Sequence, residues 1–400
     1  MNNNLIPSIR FKGFNDVWEQ RKLGDTVQIT MGQSPDGSTY SDVPSDYILV
    51  QGNADLQNGW VFPRVWTSQM TKKADVGDLI MSVRAPAGAM GKTAYNAVIG
   101  RGVAAIKGNE FIYQLLVKMD SDGYWKALSC GSTFESLNSD NIKNADVLIP
   151  DVAEQKKIGE YFANLDHLIT LHQRKYDKLV NIKKSMLEKM FPKNGLSVPE
   201  IRFKGFNDAW EQRKLGELCS LITKGTTPKD KSGNGEVNFV KVENIDTDNG
   251  EITSMSKISV EEHEGYLRRS RLEENDILFS IAGTLGRVSV VKPSILPANT
   301  NQALAIIRTN RGYIPYLTAV LKGPAVEDFI RKNPTIGAQP NLSLEQVNNL
   351  DISYPEYDEQ VKIGDYFESL DNLITLHQRK LEKLQNIKKS MLEKMFPSNK

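Results

Sequence analysis

A short segment and a long segment each occur twice in the sequence, and this repetition limits the possible folds more than any other feature of the chain. Residues 9–24 recur as residues 201–216, with 15 of 16 positions identical. Residues 154–192 recur as residues 359–397, with 31 of 39 positions identical. Between these blocks the two halves diverge almost completely. The sequence therefore predicts two copies of one fold that carry different surfaces.

The divergent segments keep a few matched turns and strands. Residues 32–35 correspond to residues 225–228, and residues 77–83 correspond to residues 275–281. Runs rich in β-branched and aromatic residues predict strands at 47–50, 237–242 and 288–291. An apolar run predicts a helix over residues 314–322. Each copy is therefore expected to be a mixed α/β domain.

The long repeated blocks carry apolar residues or histidine at every seventh position, which indicates helices that pair as a coiled coil. The predicted seam residues are Ile158, Leu165, His172, Leu179, Met186, Ile363, Leu370, His377, Leu384 and Met391. Adjoining apolar positions, among them Leu168 and Leu373, complete the stripe. Prolines at 150 and 355 precede the helices, and prolines at 192 and 397 end them.

The predicted fold class is therefore α+β. Two similar mixed α/β domains are joined by two long helices in a tandem repeat, which is pseudo-two-fold if the helices form an antiparallel coiled coil. The repeats predict domains at 1–150 and 201–355, long helices at 151–192 and 356–397, and a linker at 193–200.

Composition limits the function classes without choosing one. Fifty basic and 49 acidic residues give a net charge of +1, whereas a DNA-binding protein is expected to carry a positive excess. Any DNA-binding face must then come from local sorting of charge. Cys130 and Cys219 stand in unrelated contexts, so neither a disulfide framework nor a zinc site is expected. The sequence shows no signal peptide and no apolar stretch of membrane-spanning length, which predicts a cytoplasmic protein.

Four segments carry a resemblance to a known family. These are residues 203–206 (Phe-Lys-Gly-Phe), residues 210–216 (Trp-Glu-Gln-Arg-Lys-Leu-Gly), the strand at 275–280 (Asn-Asp-Ile-Leu-Phe-Ser), and Glu359-Gln360 at the start of a heptad helix. Together they resemble the type I restriction-modification specificity subunit, and the resemblance covers essentially the whole chain, twice.

This resemblance implies binding and assembly rather than catalysis. Each variable region would be a target recognition domain that reads one half of a split site in double-stranded DNA. The helices would fix the gap between the halves and dock two methyltransferase subunits, which motor-nuclease restriction subunits then join. No catalytic, cofactor or metal site is expected in this chain. S-adenosylmethionine, and ATP with Mg²⁺ for restriction, would be used by the partner subunits.

Two motifs suggest chemistry but are better explained by structure. Residues 88–93 (Gly-Ala-Met-Gly-Lys-Thr) resemble a phosphate-binding loop, yet Pro86 stands where that motif needs glycine, so we predict a turn. Asp151 and Glu154 could belong to a nuclease site. They lie at a predicted helix start, where acidic residues cap the first turn.

The four histidines allow one further hypothesis. His172 and His377 occupy equivalent seam positions, where a metal site or a proton switch is conceivable. Paired polar residues in a seam more often set the register of the helices, and we favour that interpretation. His167 and His263 have no partner that the sequence identifies.

Candidates for DNA contact are the basic and polar residues of the divergent segments. Arg, Asn and Gln can make paired hydrogen bonds to base edges, whereas Lys and Thr more often contact phosphate. The candidates are Gln33, Ser34, Arg84, Lys92, Arg101, Lys224, Thr226, Thr227, Lys229, Arg268, Arg269, Arg271, Arg287, Gln302, Gln339 and Asn341. For each of them a solvated surface residue is the alternative. The segment from Tyr266 to Arg271 is the most basic local patch.

Two other function classes compete with the DNA-reading hypothesis. A coiled-coil scaffold whose two domains bind proteins would also fit the near-neutral charge. A self-sufficient methyltransferase or nuclease would need motifs that the sequence lacks, such as Asn-Pro-Pro-aromatic or a glycine-rich cofactor loop. Binding of DNA by the chain, alone and with a methyltransferase partner, would separate the first two classes.

Overall fold

The computed structural model describes residues 6–129, 136–193, 196–332 and 340–397. Contacts divide the chain into two compact units. Unit 1 comprises Met1–Leu171 and Leu381–Lys400, and unit 2 comprises His172–Lys380. No helix in the described ranges combines the length and the apolar character needed to cross a membrane.

The variable part of unit 1 alternates short strands with a few helices. In chain order these are β1 (Glu19–Lys22), α1 (Leu23–Thr26), β2 (Gln28–Met31), β3 (Tyr40–Ser41), β4 (Tyr47–Val50), β5 (Leu56–Gln57), β6 (Trp60–Val61), β7 (Val65–Thr67), β8 (Lys73–Ala74), β9 (Leu79–Ser82), β10 (Met90–Lys92), β11 (Ala97–Ile99), β12 (Val103–Lys107), α2 (Glu110–Ser121), α3 (Tyr124–Ser129), α4 (Ser139–Lys143) and β13 (Asp146–Ile149). The long helix α5 (Val152–Lys189) follows.

Unit 2 repeats this order with fewer strands. It contains β14 (Glu211–Lys214), β15 (Cys219–Lys224), β16 (Val237–Val240), β17 (Ser256–Ile258), α6 (Val260–Glu264), β18 (Ile277–Ser280), β19 (Val288–Val290), β20 (Ala298–Thr300), β21 (Leu304–Thr309), α7 (Ile314–Leu321), α8 (Pro324–Lys332), α9 (Leu344–Asn348) and β22 (Asp351–Tyr354). The second long helix is α10 (Tyr357–Met395). The predicted strands are observed as β4, β16 and β19, and the predicted helix as α7.

The two units share the central strands of their sheets. In unit 1 the strands are ordered β2-β12-β9-β10-β6-β5, β3-β7-β4-β11-β8 and β1-β13. In unit 2 the orders are β15-β21-β18-β19, β17-β16-β20 and β14-β22. In the first sheet of each unit, one strand (β12 or β21) pairs antiparallel with a neighbour on each side. The second sheet of each unit contains one parallel pair, β4 with β11 or β16 with β20. The predicted α+β fold of two similar domains with two long helices is confirmed.

The short repeated block is fastened to the start of the long helix by a buried ion pair. In unit 1 the Arg10 guanidinium donates to both oxygens of Glu154 at 2.6 Å, and the Trp18 indole N–H donates to the same carboxylate at 3.2 Å. The Glu154 side chain is completely buried. Its hydrogen bond raises the pKa of Arg10. Asp151 caps the helix by accepting from the backbone N–H of Glu154, so the acidic residues at this helix start are structural.

Unit 2 contains the same arrangement, which we call the Arg–Glu–Trp clasp in both units. Arg202 donates to Glu359 at 2.7 and 2.8 Å, and the Trp210 indole donates to Glu359 at 3.0 Å. Here too the glutamate is fully buried. The clasp joins one residue type from the long repeat to two from the short repeat. It therefore explains why these three residues are the same in both copies of the blocks.

Each unit buries an aromatic side chain from the end of a long helix beside its clasp. In unit 1 Phe396, just after α10, stacks on Phe111 with ring centroids 5.2 Å apart and lies 6.1 Å from the ring of Trp18. In unit 2 Phe191, just after α5, stacks on Phe367 at 5.8 Å. The core of each unit is thus completed by residues that are distant in the sequence.

The long helices pack antiparallel within each unit. In unit 1 Ile158 and Leu165 of α5 belong to one apolar cluster with Leu384 and Met391 of α10. Lys388 also pairs with Asp166 at 2.6 Å. In unit 2 Leu179 and Met186 of α5 pack in one cluster with Ile363 and Leu370 of α10, and Lys183 pairs with Asp371 at 2.5 Å. Leu168 and Leu373, which the heptad pattern would bury, are instead 40% and 43% exposed.

The seam histidines meet in unit 2. Their Nδ1 atoms lie 2.8 Å apart, so one ring donates and the other accepts. Burial lowers the pKa of both, and Lys175 and Lys380 lower it further. No group of three metal-ligating side chains forms among the described residues. The geometry favours a hydrogen-bonded pair that sets the helix register.

Replacing Arg10 with alanine is expected to lower the free energy of unfolding of unit 1 by about 3–5 kcal/mol, because a fully buried carboxylate loses its counter-charge. Denaturant unfolding followed by tryptophan fluorescence measures this, since Trp18, Trp60, Trp66 and Trp125 of the five tryptophans lie in unit 1.

Arg21→Ala is the matched control for this experiment. It removes a pair with Glu19 whose side chains are 53% and 67% exposed, and is expected to cost less than about 1 kcal/mol. Equal losses in the two variants would contradict the importance given to the clasp.

Candidate nucleic-acid interface

A backbone crossing in unit 1 brings together residues that are almost 70 positions apart. The segment after β2 runs against the turn between β11 and β12. Gly32 N–H donates to the Val103 carbonyl at 3.0 Å, and Gln33 N–H donates to the Ile99 carbonyl at 2.8 Å. A Cβ on Gly32 would lie 2.1 Å from the Gly100 oxygen, so only glycine allows this approach.

The crossing places three predicted DNA-contacting residues side by side. The Ser34 hydroxyl accepts from the Arg101 backbone N–H at 3.1 Å. Gln33 and Arg101 are exposed, and Ser34 is half-buried. These residues form one continuous polar edge of the unit.

A cleft next to this edge contains a second arginine. Arg84 follows β9, and its backbone pairs with Ser136 in an isolated bridge. The cleft has a volume of about 530 Å³, and Gly32, Arg84, Arg101, Ser136, Asn138 and Asn141 are among its lining residues. Both arginines are exposed, and neither forms an ion pair within the described ranges. The cleft is therefore a local concentration of positive charge in a nearly neutral chain.

Unit 2 has the same crossing with different side chains. Gly225 N–H donates to the Leu304 carbonyl at 3.2 Å, and Thr226 N–H donates to the Thr300 carbonyl at 2.9 Å. A Cβ on Gly225 would meet the Thr300 oxygen at 2.1 Å. The Thr227 hydroxyl bonds the side-chain oxygen of Gln302, the exposed residue of the facing turn.

The counterpart of Arg84 in unit 2 is Ala282, which pairs with Asn341 in the corresponding bridge. Lys224, at the end of β15, is exposed. Gln339 lies outside the described residues, as does Cys130.

Unit 2 carries two additional exposed arginines on a short 3-10 turn. Arg268 and Arg269 belong to the turn Arg268–Ser270, and the Arg269 Nε lies 3.5 Å from the Thr226 hydroxyl. Lys229 lies over the ring of Tyr266 with its Nζ 4.7 Å from the centroid. The structure thus groups Thr226, Lys229 and the arginine turn on one surface.

A buried polar network holds this arginine turn in place. The Asn299 amide donates to the Leu267 carbonyl at 2.9 Å and to the Ser270 hydroxyl at 3.2 Å. The Asn299 side-chain oxygen lies 2.5 Å from His263 Nδ1. The sequence identified no partner for His263 because Asn299 is distant along the chain and belongs to a different element.

Three of the predicted DNA contacts have their charge engaged inside the fold. Lys92 pairs with Glu110 at 3.0 Å and lies over the rings of Trp60 and Tyr113, 4.9 and 4.6 Å from the centroids. The turn predicted at 88–93 ends at Ala89, because residues 90–92 form β10.

Arg271 and Arg287 are engaged as well. Arg271 donates to the His263 carbonyl at 2.9 Å and pairs with Glu264. Arg287 donates to the carbonyls of Val242 and Ile245 at 3.2 and 2.7 Å. Because these internal bonds compete with any contact to DNA, the candidate interface does not include Lys92, Arg271 and Arg287.

Sequence reasoning missed the asparagines that line the unit 1 cleft. Asn138 and Asn141 cap α4 reciprocally through side-chain and backbone bonds of 2.8 and 3.0 Å. An Asn-x-x-Asn spacing before a short helix is a capping signal that could have located them. Cys219 is half-buried, and burial raises the pKa of its thiol to about 12, so it is not a reactive thiol.

Comparison with known proteins places both units in one family. A family model described as the type I restriction modification DNA specificity domain matches residues 15–181 and 207–386, most of the chain. The chain is 28% identical over 180 residues to a putative type I restriction enzyme MjaX specificity subunit of Methanocaldococcus jannaschii, covering 42% of this chain and 41% of that protein.

A second relative is the type I restriction enzyme EcoBI specificity subunit of Escherichia coli. It is 22% identical over 303 residues, covering 68% of this chain and 63% of that protein. The matches thus span less than two thirds of the length of either relative. The crystal structure of a type I restriction-modification system S subunit from M. genitalium has the same fold, with a TM-score of 0.67 at 16% identity over 99% of this chain and all of that one.

Proposed function

The chain belongs to the type I restriction modification DNA specificity domain family, and from this premise we propose that it reads DNA for a type I restriction-modification enzyme. Each unit recognises one half of a split, asymmetric site in double-stranded DNA. The helices set the gap and dock two methyltransferase subunits, so that adenine methylation and restriction are directed to that site.

One observation carries this proposal. Both units use the same glycine-dependent crossing, yet the exposed residues on it differ. Unit 1 presents Gln33 and Arg101, whereas unit 2 presents Thr227 and Gln302. A constant backbone with changed side chains is what two readers of different base sequences require, because base contacts specify while the frame only positions.

The exposed arginines supply the electrostatic part of the proposal. Arg84 and Arg101 in unit 1, and Arg268 and Arg269 in unit 2, are exposed next to these crossings. Arginine binds both phosphate and base edges through its planar fork. Neither the comparisons nor the contacts favour the alternative of a scaffold whose units bind proteins.

Exposed leucines on the long helices suit docking of one partner twice. Leu168 and Leu171 of α5 are 40% and 38% exposed, and their equivalents Leu373 and Leu376 of α10 are 43% and 45% exposed. Residues three apart lie on one face of a helix. The same apolar pair is thus presented once in each unit, which fits two copies of a methyltransferase subunit.

Catalysis is assigned to those partners. They would bind S-adenosylmethionine for methyl transfer, and motor-nuclease subunits would use ATP with Mg²⁺ for restriction. This chain's own residues supply recognition, positioning and assembly.

The function is tested by sequencing the methylome of a host that contains the methyltransferase partner, with and without this chain. We expect the chain to add methylation at one bipartite motif, with two unlike halves around a gap of unspecified bases. An unchanged methylome, together with no shift of DNA by the assembled complex, would instead support the scaffold alternative.

The docking of two partners is tested with glutamate in place of the exposed leucines. We expect Leu168→Glu with Leu171→Glu to release one methyltransferase copy, and Leu373→Glu with Leu376→Glu to release the other, because buried carboxylates lack counter-charges. Native mass spectrometry counts the bound copies.

A matched control is Leu196→Glu with Val198→Glu, which changes residues that are 62% and 45% exposed outside the long helices. This variant should keep both copies. Retention of two copies by the variant with all four helix substitutions would contradict the proposed docking surface.

A further inference from the structure

The duplicated crossing identifies one position that corresponds in the two units. The backbone bonds pair Val103 of unit 1 with Gly32, and Leu304 of unit 2 with Gly225. Two residues before Val103 stands Arg101, and two residues before Leu304 stands Gln302. Arg101 and Gln302 are therefore the same position of one turn, occupied by two different side chains.

A hydroxyl group holds this position in both units. The Ser34 hydroxyl accepts from the backbone N–H of Arg101 at 3.1 Å. The Thr227 hydroxyl, at the equivalent position in unit 2, bonds the Gln302 side-chain oxygen. In unit 1 the hydroxyl holds the backbone of the turn, and in unit 2 it holds the side chain at the tip, while both tip residues stay exposed.

The free atoms of each tip residue define what it can bind. The Arg101 guanidinium is exposed and has no ion-pair partner among the described residues, so its planar donor fork is available. The Gln302 amide NH₂ is directed away from the oxygen that Thr227 holds, and that oxygen keeps a second lone pair. Gln302 can thus donate one hydrogen bond and accept another.

These two patterns match different base edges in the major groove. Two parallel arginine donors fit the O6 and N7 acceptors of guanine. A glutamine amide, with one donor and one acceptor, fits N7 and the N6 amino group of adenine. We propose that Arg101 and Gln302 are equivalent base-reading residues, and that Arg101 takes a guanine in one half-site while Gln302 takes an adenine in the other.

This inference rests on the proposed function and refines it. It predicts that the two tip residues can be exchanged with a matching exchange of base. Both side chains are exposed, so neither substitution disturbs the core. The experiment uses the full chain assembled with its methyltransferase partner, and its probe is a pool of duplexes in which each base of the motif is varied singly.

In Arg101→Gln we expect one position of one half-site to change preference from guanine towards adenine. Binding of the original site should weaken about tenfold to a hundredfold, the usual range for one paired base contact. In Gln302→Arg we expect the reciprocal change, from adenine towards guanine, at one position of the other half-site. All remaining positions should be unaltered.

Arg101→Lys distinguishes base reading from phosphate contact. Lysine keeps the charge but lacks the planar fork. We therefore expect this variant to lose discrimination at the guanine position while its binding to non-specific DNA stays unchanged. Arg21→Gln removes an arginine outside the crossing and should leave every base preference intact.

The inference is overturned if Arg101→Gln weakens all duplexes equally, which would indicate a phosphate contact. It is also overturned if specific binding persists with no base preference altered in any exchange variant. Failure of the wild-type complex to bind any duplex specifically would instead refute the proposed function itself.

Discussion

The buried Arg–Glu–Trp clasp is the interaction on which the rest of each unit depends. It fixes the first turn of a long helix to the short block that precedes the variable segment, through Glu154 in unit 1 and Glu359 in unit 2. A carboxylate with no exposure to water is tolerated only when its charge and its lone pairs are satisfied. All three side chains are needed at once, which explains why both copies of the blocks contain them.

The clasp separates a constant frame from a variable face. The frame comprises the clasp, the stacked phenylalanines and the antiparallel helix segments within each unit. The face lies at the crossing of Gly32 or Gly225 with its opposing turn, where backbone atoms approach so closely that no side chain fits. Exposed residues around a fixed crossing are free to change without cost to the core.

The near-neutral net charge is compatible with a basic surface, because the fold sorts charged residues locally. Several basic residues are paired within the fold, as Lys92 is with Glu110 and Arg271 is with Glu264. Arg84 and Arg101 are exposed beside one cleft instead. Local sorting thus produces a basic surface from a balanced composition, and the net charge of +1 says little about it.

Much of the fold is predictable because the repetition and the heptad spacing can be seen in the sequence without knowing any tertiary contact. They predict the two domains and both long helices, whereas the antiparallel packing of the helices was implied by the family resemblance. The packing of Phe396 into unit 1 was not predictable, because it joins residues from opposite ends of the chain.

Prediction of the candidate interface was limited by side-chain contacts between residues that are distant in the sequence. Lys92 and Arg287 are of the basic residue types that contact DNA, but each is bonded to a group that only the fold brings near. The pairing of His263 with Asn299 has the same origin. The matched turns at 32–35 and 225–228 were visible in the sequence, whereas the turns that face them were not.

If the same frame in each unit carries its own DNA-reading surface, the two surfaces are independent of one another. The most direct measurement replaces residues 25–150 with the corresponding segment of another family member and determines the methylated motif in a host with the methyltransferase partner. We expect one half of the motif to change, while the other half and the gap remain as they were. A change in both halves together would contradict this independence.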